Sequence, residues 1–215
     1  MRERKIMTIF NYSQLEKLVI AKEYDAAESF CLKALDTGIE PIFWQTQLGY
    51  VYFLNEQDID AYYEKAPSTF QSLVANNPEN ANAHFWLGYI YLIVLNNPND
   101  FTLELNEVLR LDPNHSYANL VLAGHPDCEN AEKHKFLSKV LNQQPNNLRA
   151  LSQMANLLFT TNQKGNAKKL LNTILMNEAY VEEDYGIMNQ YINDVLTCAT
   201  HQQDLRKEAK LKLEQ

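Results

Sequence analysis

Two short stretches bring together groups that could do chemistry: HPDCENAEKH, with His125, Cys128 and His134, and CATH, with Cys198 and His201. Imidazole and thiolate are zinc ligands, but a closed zinc site takes four at recognisable spacings, and the first stretch supplies no fourth. Cys198 and His201 stand nearly one helical turn apart and could pair as nucleophile and base, yet no third group is placed to orient the imidazole. Glu182 and Glu183 run on into Asp184 at the expected start of a helix, where the macrodipole favours negative charge with no proton-transfer role. No phosphate-cradling glycine motif and no H-E-x-x-H zinc helix occurs in the sequence. The expectation is no metal, no cofactor, no catalytic residue, and a protein that is not an enzyme.

Attention therefore moves to the elements that carry these residues. The 215 residues are 46% apolar and 21% charged, enough for a real core and too few charges for disorder, while only 6 glycines and 7 prolines speak against a strand-and-turn protein. The basic opening RERK is followed by too short an apolar run for a secretory signal. No stretch approaches the roughly 20 apolar residues that span a bilayer. Three widely spaced cysteines fit a reducing compartment. A soluble, cytoplasmic protein is expected. Its formal net charge of -8, with basic residues mostly at the two ends, disfavours nucleic acid and favours neutral or basic partners.

The chain repeats itself. WQTQLGYVYFL at 44–54 and HFWLGYIYLIV at 84–94 share Leu-Gly-Tyr-x-Tyr, although glycine inside a helix costs about 1 kcal/mol relative to alanine. Prolines in NNPEN, LDPN and QQPNN fall at 78, 113 and 145, 35 and 32 residues apart, each after an apolar-periodic run that proline would end. Each cluster reads as a turn between helices. Leu48, Gly49, Tyr52, Ala66, Phe70, Leu73 and Pro78 make up one period. The next holds Leu87, Gly88, Tyr91, Phe101, Leu105, Val108, Leu109 and Pro113, and a later one Leu151, Met154, Ala155, Leu158, Ala167, Leu171 and Ile174. An earlier period is recognisable in Tyr24, Ala27, Cys31, Ala34 and Leu35, and a shortened one in Leu122, Ala123, Leu137, Val140, Leu141 and Pro145.

This pattern resembles the tetratricopeptide repeat, a helix-turn-helix unit of about 34 residues with a W-x-x-L-G-x-x-Y opening, an A-x-x-x-F middle and a closing proline. The resemblance implies an all-α, right-handed superhelical solenoid of antiparallel helix pairs. It would form a single domain over 1–215, with about five repeats over 9–179 and C-terminal capping helices over 180–213. Gly49 and Gly88 would face a small residue of the second helix at each crossing. NEQDIDAYY, longer than the family spacing, would form a lengthened loop open to contact, with Pro67 in the first turn of the next helix.

In the family the first helix of each repeat lines a concave groove. Mapped onto this chain, the groove positions are Ser13 and Glu16, then Gln47, Tyr50, Trp86, Tyr89, Gln153 and Asn156, where aromatic and amide groups suit recognition. Apart from Arg149 these places hold no cation of the kind that clamps a peptide carboxylate. The resemblance implies a non-enzymatic scaffold that binds a peptide or helix of another protein, a basic one being favoured by the net charge, with no nucleic acid and no membrane. The alternative is an acidic inhibitor, immunity protein or chaperone that sequesters one basic protein.

Overall fold

Turn residues set the element boundaries. In the computed structural model, which describes residues 10–182 and 185–214, Asn80, His115 and Asn147 each stand two residues after a turn proline and each cap the next helix. Asn80 accepts from the Ala83 amide at 3.1 Å, His115 from Ala118 at 3.2 Å and Asn147 from Ala150 at 3.0 Å. The proline ends one helix and the residue two places on satisfies a free amide of the next.

Contacts gather into two compact units, 1–111 and 112–215. The first holds α1 (Tyr12–Ile20), α2 (Tyr24–Leu35), α3 (Pro41–Leu54), α4 (Ala66–Asn76), α5 (Ala81–Ile93) and α6 (Pro98–Leu111). The second holds α7 (Ser116–Gly124), α8 (Asn130–Gln143), α9 (Leu148–Thr160), α10 (Lys164–Met176) and α11 (Gln202–Leu213). Among the described residues the first ten helices form five pairs. Within each unit every helix of these pairs packs on the next, so one pair's apolar stripe is covered by its neighbour. The expected beginning of the first repeat at residue 9 lies outside the described residues, as do Glu183 and Asp184.

Two expectations are corrected. First, most of NEQDIDAYY is not loop. Asp58 accepts from the Ala61 amide at 3.2 Å and starts a helix at Ile59, which runs through a π-helical turn, Ala61–Lys65, into α4. Pro67 keeps its expected place in the first turn of α4, although the π turn leads straight into it. Its ring would crowd the carbonyl four residues back, and the wider π turn ends just before it. Second, the repeat glycines do not face small residues. A Cβ built on Gly49 would lie 2.6 Å from the Phe70 ring, and one on Gly88 2.6 Å from Leu105 Cδ2. Glycine makes room for a large side chain of the second helix. Beyond α10 the chain makes one longer helix, α11, preceded by short turns. Gly186–Met188, Asn189–Tyr191 and Ile192–Leu196 are single turns of three different helix types, and Cys198 is left-handed at φ 58°.

α11 packs on α9 and α10. Leu205, Ala209 and Leu213 join Leu148, Leu151, Leu171 and Ile174 in one apolar cluster, and Arg206 donates to the Asn177 carbonyl at 2.9 Å. In the first unit, buried His84 lies between Glu104 Oε2, 2.6 Å from Nδ1, and the Pro78 carbonyl, 2.9 Å from Nε2. It ties a turn to α5 and α6.

Candidate partner-binding face

The groove positions of the first unit are interior. Gln47, Tyr50, Trp86 and Tyr89 are 6%, 5%, 0% and 4% exposed. Trp86 meets the Tyr50 ring edge-on at 5.2 Å, the Phe85 ring at 5.2 Å and the Tyr89 ring at 5.9 Å. Phe85 stacks on Tyr89 at 5.9 Å. This corrects the expected open aromatic surface, and its cause is legible in composition: α3 and α5 are apolar nearly all round, which makes a helix buried on every side. Every residue from Ala83 to Ile90 is buried. The Gln47 side-chain oxygen lacks a hydrogen-bond partner among the described residues. Ser13 is exposed and Glu16 half-buried.

In the second unit the corresponding positions are more open. Gln153 is half-buried, and its side-chain nitrogen would lie 3.5 Å from a Cβ on Gly124. Asn156 is exposed and accepts from the Lys212 ammonium of α11 at 2.7 Å.

Three further residues on the starts of α7 and α9 hold the chain beyond α10. Tyr117 donates to the Glu182 carboxylate, and its ring meets that of Tyr185 edge-on at 5.4 Å. The Asn146 carbonyl accepts from the Tyr180 amide at 3.1 Å. The Arg149 guanidinium donates to the Val195 carbonyl, and its backbone amide lies 3.3 Å from the Thr197 carbonyl. Of the three, only Arg149 stands out in the sequence, as a cation at a helix start. Burial, reinforced by Glu182, holds the Tyr117 hydroxyl well above the ordinary tyrosine range, and burial pushes Tyr185 up to about 12.

The residues singled out for chemistry are not assembled. His125 Nδ1 is 3.9 Å from Asp127, Cys128 Sγ is 3.8 Å from the Glu129 carbonyl, and His134 Nδ1 is 3.4 Å from Ser138. Among the described residues no group of three histidine, cysteine or acidic side chains could hold a metal ion. Burial raises the Cys198 thiol against the opposing charge of Arg149, the reverse of an activated nucleophile. Among the described residues no helix is long and apolar enough to cross a membrane.

No protein-family profile matches the sequence, and no curated protein matches it. Solved structures do. One is the MamA protein, with TM-score 0.57 and 17% identity over 79% of this chain and 90% of that one. Another is YrrB, described as a TPR protein with an unusual peptide-binding site, with TM-score 0.51 and 19% identity over 94% and 95% of the two chains. The fold matches these structures, and the chain is an all-α helical-repeat protein of tetratricopeptide-like fold.

Proposed function

We propose that this protein is a non-enzymatic interaction module that holds a peptide or helix of another protein on the first-helix side of its repeats. The supporting observation is the polar equipment of α7 and α9: Tyr117, the Asn146 carbonyl, Arg149, Gln153 and Asn156 lie along helix starts and first-helix positions where an extended or helical chain can be read. YrrB, of similar fold, is described as having a peptide-binding site. Gln47, Tyr50, Trp86 and Tyr89, at first-helix positions of the first unit, are interior and are left out of this contact surface. The odd number and wide spacing of Cys31, Cys128 and Cys198 favour a reducing compartment such as the cytoplasm.

The test is affinity capture from the native host, then titration of the captured protein against Gln153→Ala and Asn156→Ala. Loss of about 2 kcal/mol or more at either position marks a hot spot. Wild-type affinity in both variants removes this face from the proposal.

A second reading, an acidic chaperone or inhibitor of one basic protein, is favoured by the net charge of -8. It expects the association rate to fall steeply as salt rises from about 10 to 100 mM, where the Debye length shrinks from roughly 30 to 10 Å. A flat rate would eliminate it.

A further inference from the structure

Residues 185–199 do not continue the repeat pattern, and they do not belong to the helix that covers α10. They form a strap on the second unit. Their short helical turns pack on α7 through Ile192–Leu196. Met188, Ile192 and Leu196 are 0%, 0% and 2% exposed, and stand four residues apart, the spacing by which an amphipathic helix places anchors in a groove. The polar contacts come from the face itself: Tyr117 meets Tyr185 and the preceding Glu182, and Arg149 holds the Val195 and Thr197 carbonyls. Asn193, 9% exposed, closes the strap on its own approach, accepting from the Glu182 amide at 2.9 Å and donating to the Glu182 carbonyl at 3.2 Å.

Two properties separate the strap from the repeats beneath it. Its backbone changes helix type within a few residues and takes positive φ at Gly186 (54°) and Cys198 (58°), conformations that regular repeat helices avoid. Its Arg149 contact also rests on neutral acceptors: the half-buried guanidinium donates to the Val195 carbonyl, and the Arg149 backbone amide donates to the Thr197 carbonyl. The face therefore meets the strap's backbone with a cation that a neutral carbonyl answers. Segments with few regular backbone bonds open at lower free energy than the core that carries them.

We propose that residues 185–199 are an internal occupant of the α7 and α9 face, and that the partner taken there is an amphipathic helix with apolar anchors four residues apart, which displaces the strap. This rests on the interaction-module reading above. An occupant of this kind lowers apparent affinity by the fraction of molecules in which it is closed, so loosening it tightens partner binding.

The experiment uses the full chain and a synthetic peptide of residues 185–199 as probe. Hydrogen exchange should show amides of the strap opening at least about tenfold faster than those of α8 to α10 in the wild type, and faster again in Asn193→Ala, with α8 to α10 unchanged. The labelled peptide should bind Asn193→Ala at least about tenfold more tightly than the wild type. Tyr117→Phe, which keeps the ring and removes the bond to Glu182, provides a milder variant if Asn193→Ala fails to fold. Strap amides that exchange in step with α8 to α10 in every variant, or peptide binding no tighter than to the wild type, would overturn the proposal. A captured partner that binds wild type and loosened variants equally removes the strap alone. Failure to capture any partner with the strap shown open removes the interaction reading instead.

Discussion

Tyr52 donates its phenolic hydrogen to Glu28 Oε1 at 2.8 Å, joining the first helix of one repeat to the second helix of the repeat before it. Tyr91, its counterpart one repeat later, accepts from Gln71 Nε2 at 3.1 Å in the same way. The second tyrosine of Leu-Gly-Tyr-x-Tyr thus reaches backwards along the stack, while the glycine receives the second helix of its own repeat. Lys65 completes the first of these contacts, 3.6 Å from Glu28 and 5.4 Å from the Tyr52 ring centroid.

Tyr52→Phe keeps the ring and deletes the bond. A hydrogen bond to a carboxylate contributes about 1.5 to 3 kcal/mol when buried and less when its acceptor is partly exposed, so a loss near 1 kcal/mol is expected. A double-mutant cycle with Glu28→Gln should return most of it as coupling. Additive losses would show that the contact does not hold the two repeats.

Gly88→Ala and Gly165→Ala should act with opposite sign. At Gly88 the new methyl meets Leu105 Cδ2 at 2.6 Å and Glu104 Cβ at 3.0 Å, whereas at Gly165 nothing lies within 4 Å. Overpacking predicts a loss of about 1 to 3 kcal/mol at the first site, and helix propensity a gain of up to about 1 kcal/mol at the second. Urea titrations of both proteins decide it.

Trp86→Ala should destabilise the first unit by about 3 to 5 kcal/mol, the range for truncating a buried aromatic residue. Asn156→Ala, at an exposed position, should be nearly neutral. A Trp86→Ala protein with an unchanged melting midpoint would restore the tryptophan to the surface.

His115 predicts an acid-side response. Burial lowers the His115 pKa against the opposing charge of Asp112, and the neutral Nδ1 accepts from the Ala118 amide. The unfolded chain takes up a proton near pH 6.5, which the folded chain resists. Stability from this cap is thus full above about pH 6.5 and is lost as the pH falls through the lower folded value. Chemical unfolding from about pH 7 to 5 should show this slope, and His115→Asn, which keeps a cap acceptor, should remove it.

The tyrosines predict the alkaline side. Burial raises Tyr52, Tyr117 and Tyr185, the last to about 12, while unfolded tyrosine ionises near 10. Their stabilisation is complete below about pH 10 and is lost as the pH climbs beyond it. The part of the phenolate absorbance that is missing from a Tyr52→Phe, Tyr117→Phe, Tyr185→Phe variant should therefore appear together with loss of helicity.

The repeat register is readable because its signals are local. Prolines at 78, 113 and 145 end helices, glycines at 49 and 88 mark crossings, and apolar residues keep a helical period between them. The caps at Asn80, His115 and Asn147 carry an equally local signal, two residues after each proline, beyond the periodicity that sets the register. What covers a helix on its second side is not local. Gln47 and Trp86 occupy the positions of a groove and are buried, Trp86 against the Tyr50 and Phe53 rings of another helix, which no single period reveals. The face of the second unit is hidden for a similar reason. Tyr117 and Glu182 stand 65 residues apart, and the strap that begins just beyond Glu182 has no periodicity by which to place it.

The π turn at Ala61–Lys65 gives this array slack. A π turn accommodates one residue more than the α turn it replaces, and one residue rotates everything downstream by about 100° in a regular helix. Here the surplus is taken up before Phe70, whose ring still lands on Gly49. The segment can therefore lose a residue without misaligning the rest of α4: a single deletion within 61–65 closes the turn to α geometry and leaves the Phe70 and Gly49 crossing in phase. Loss of one residue, which would scramble a straight helix, is absorbed at this turn, and a repeat of irregular length can be kept in line with its neighbours.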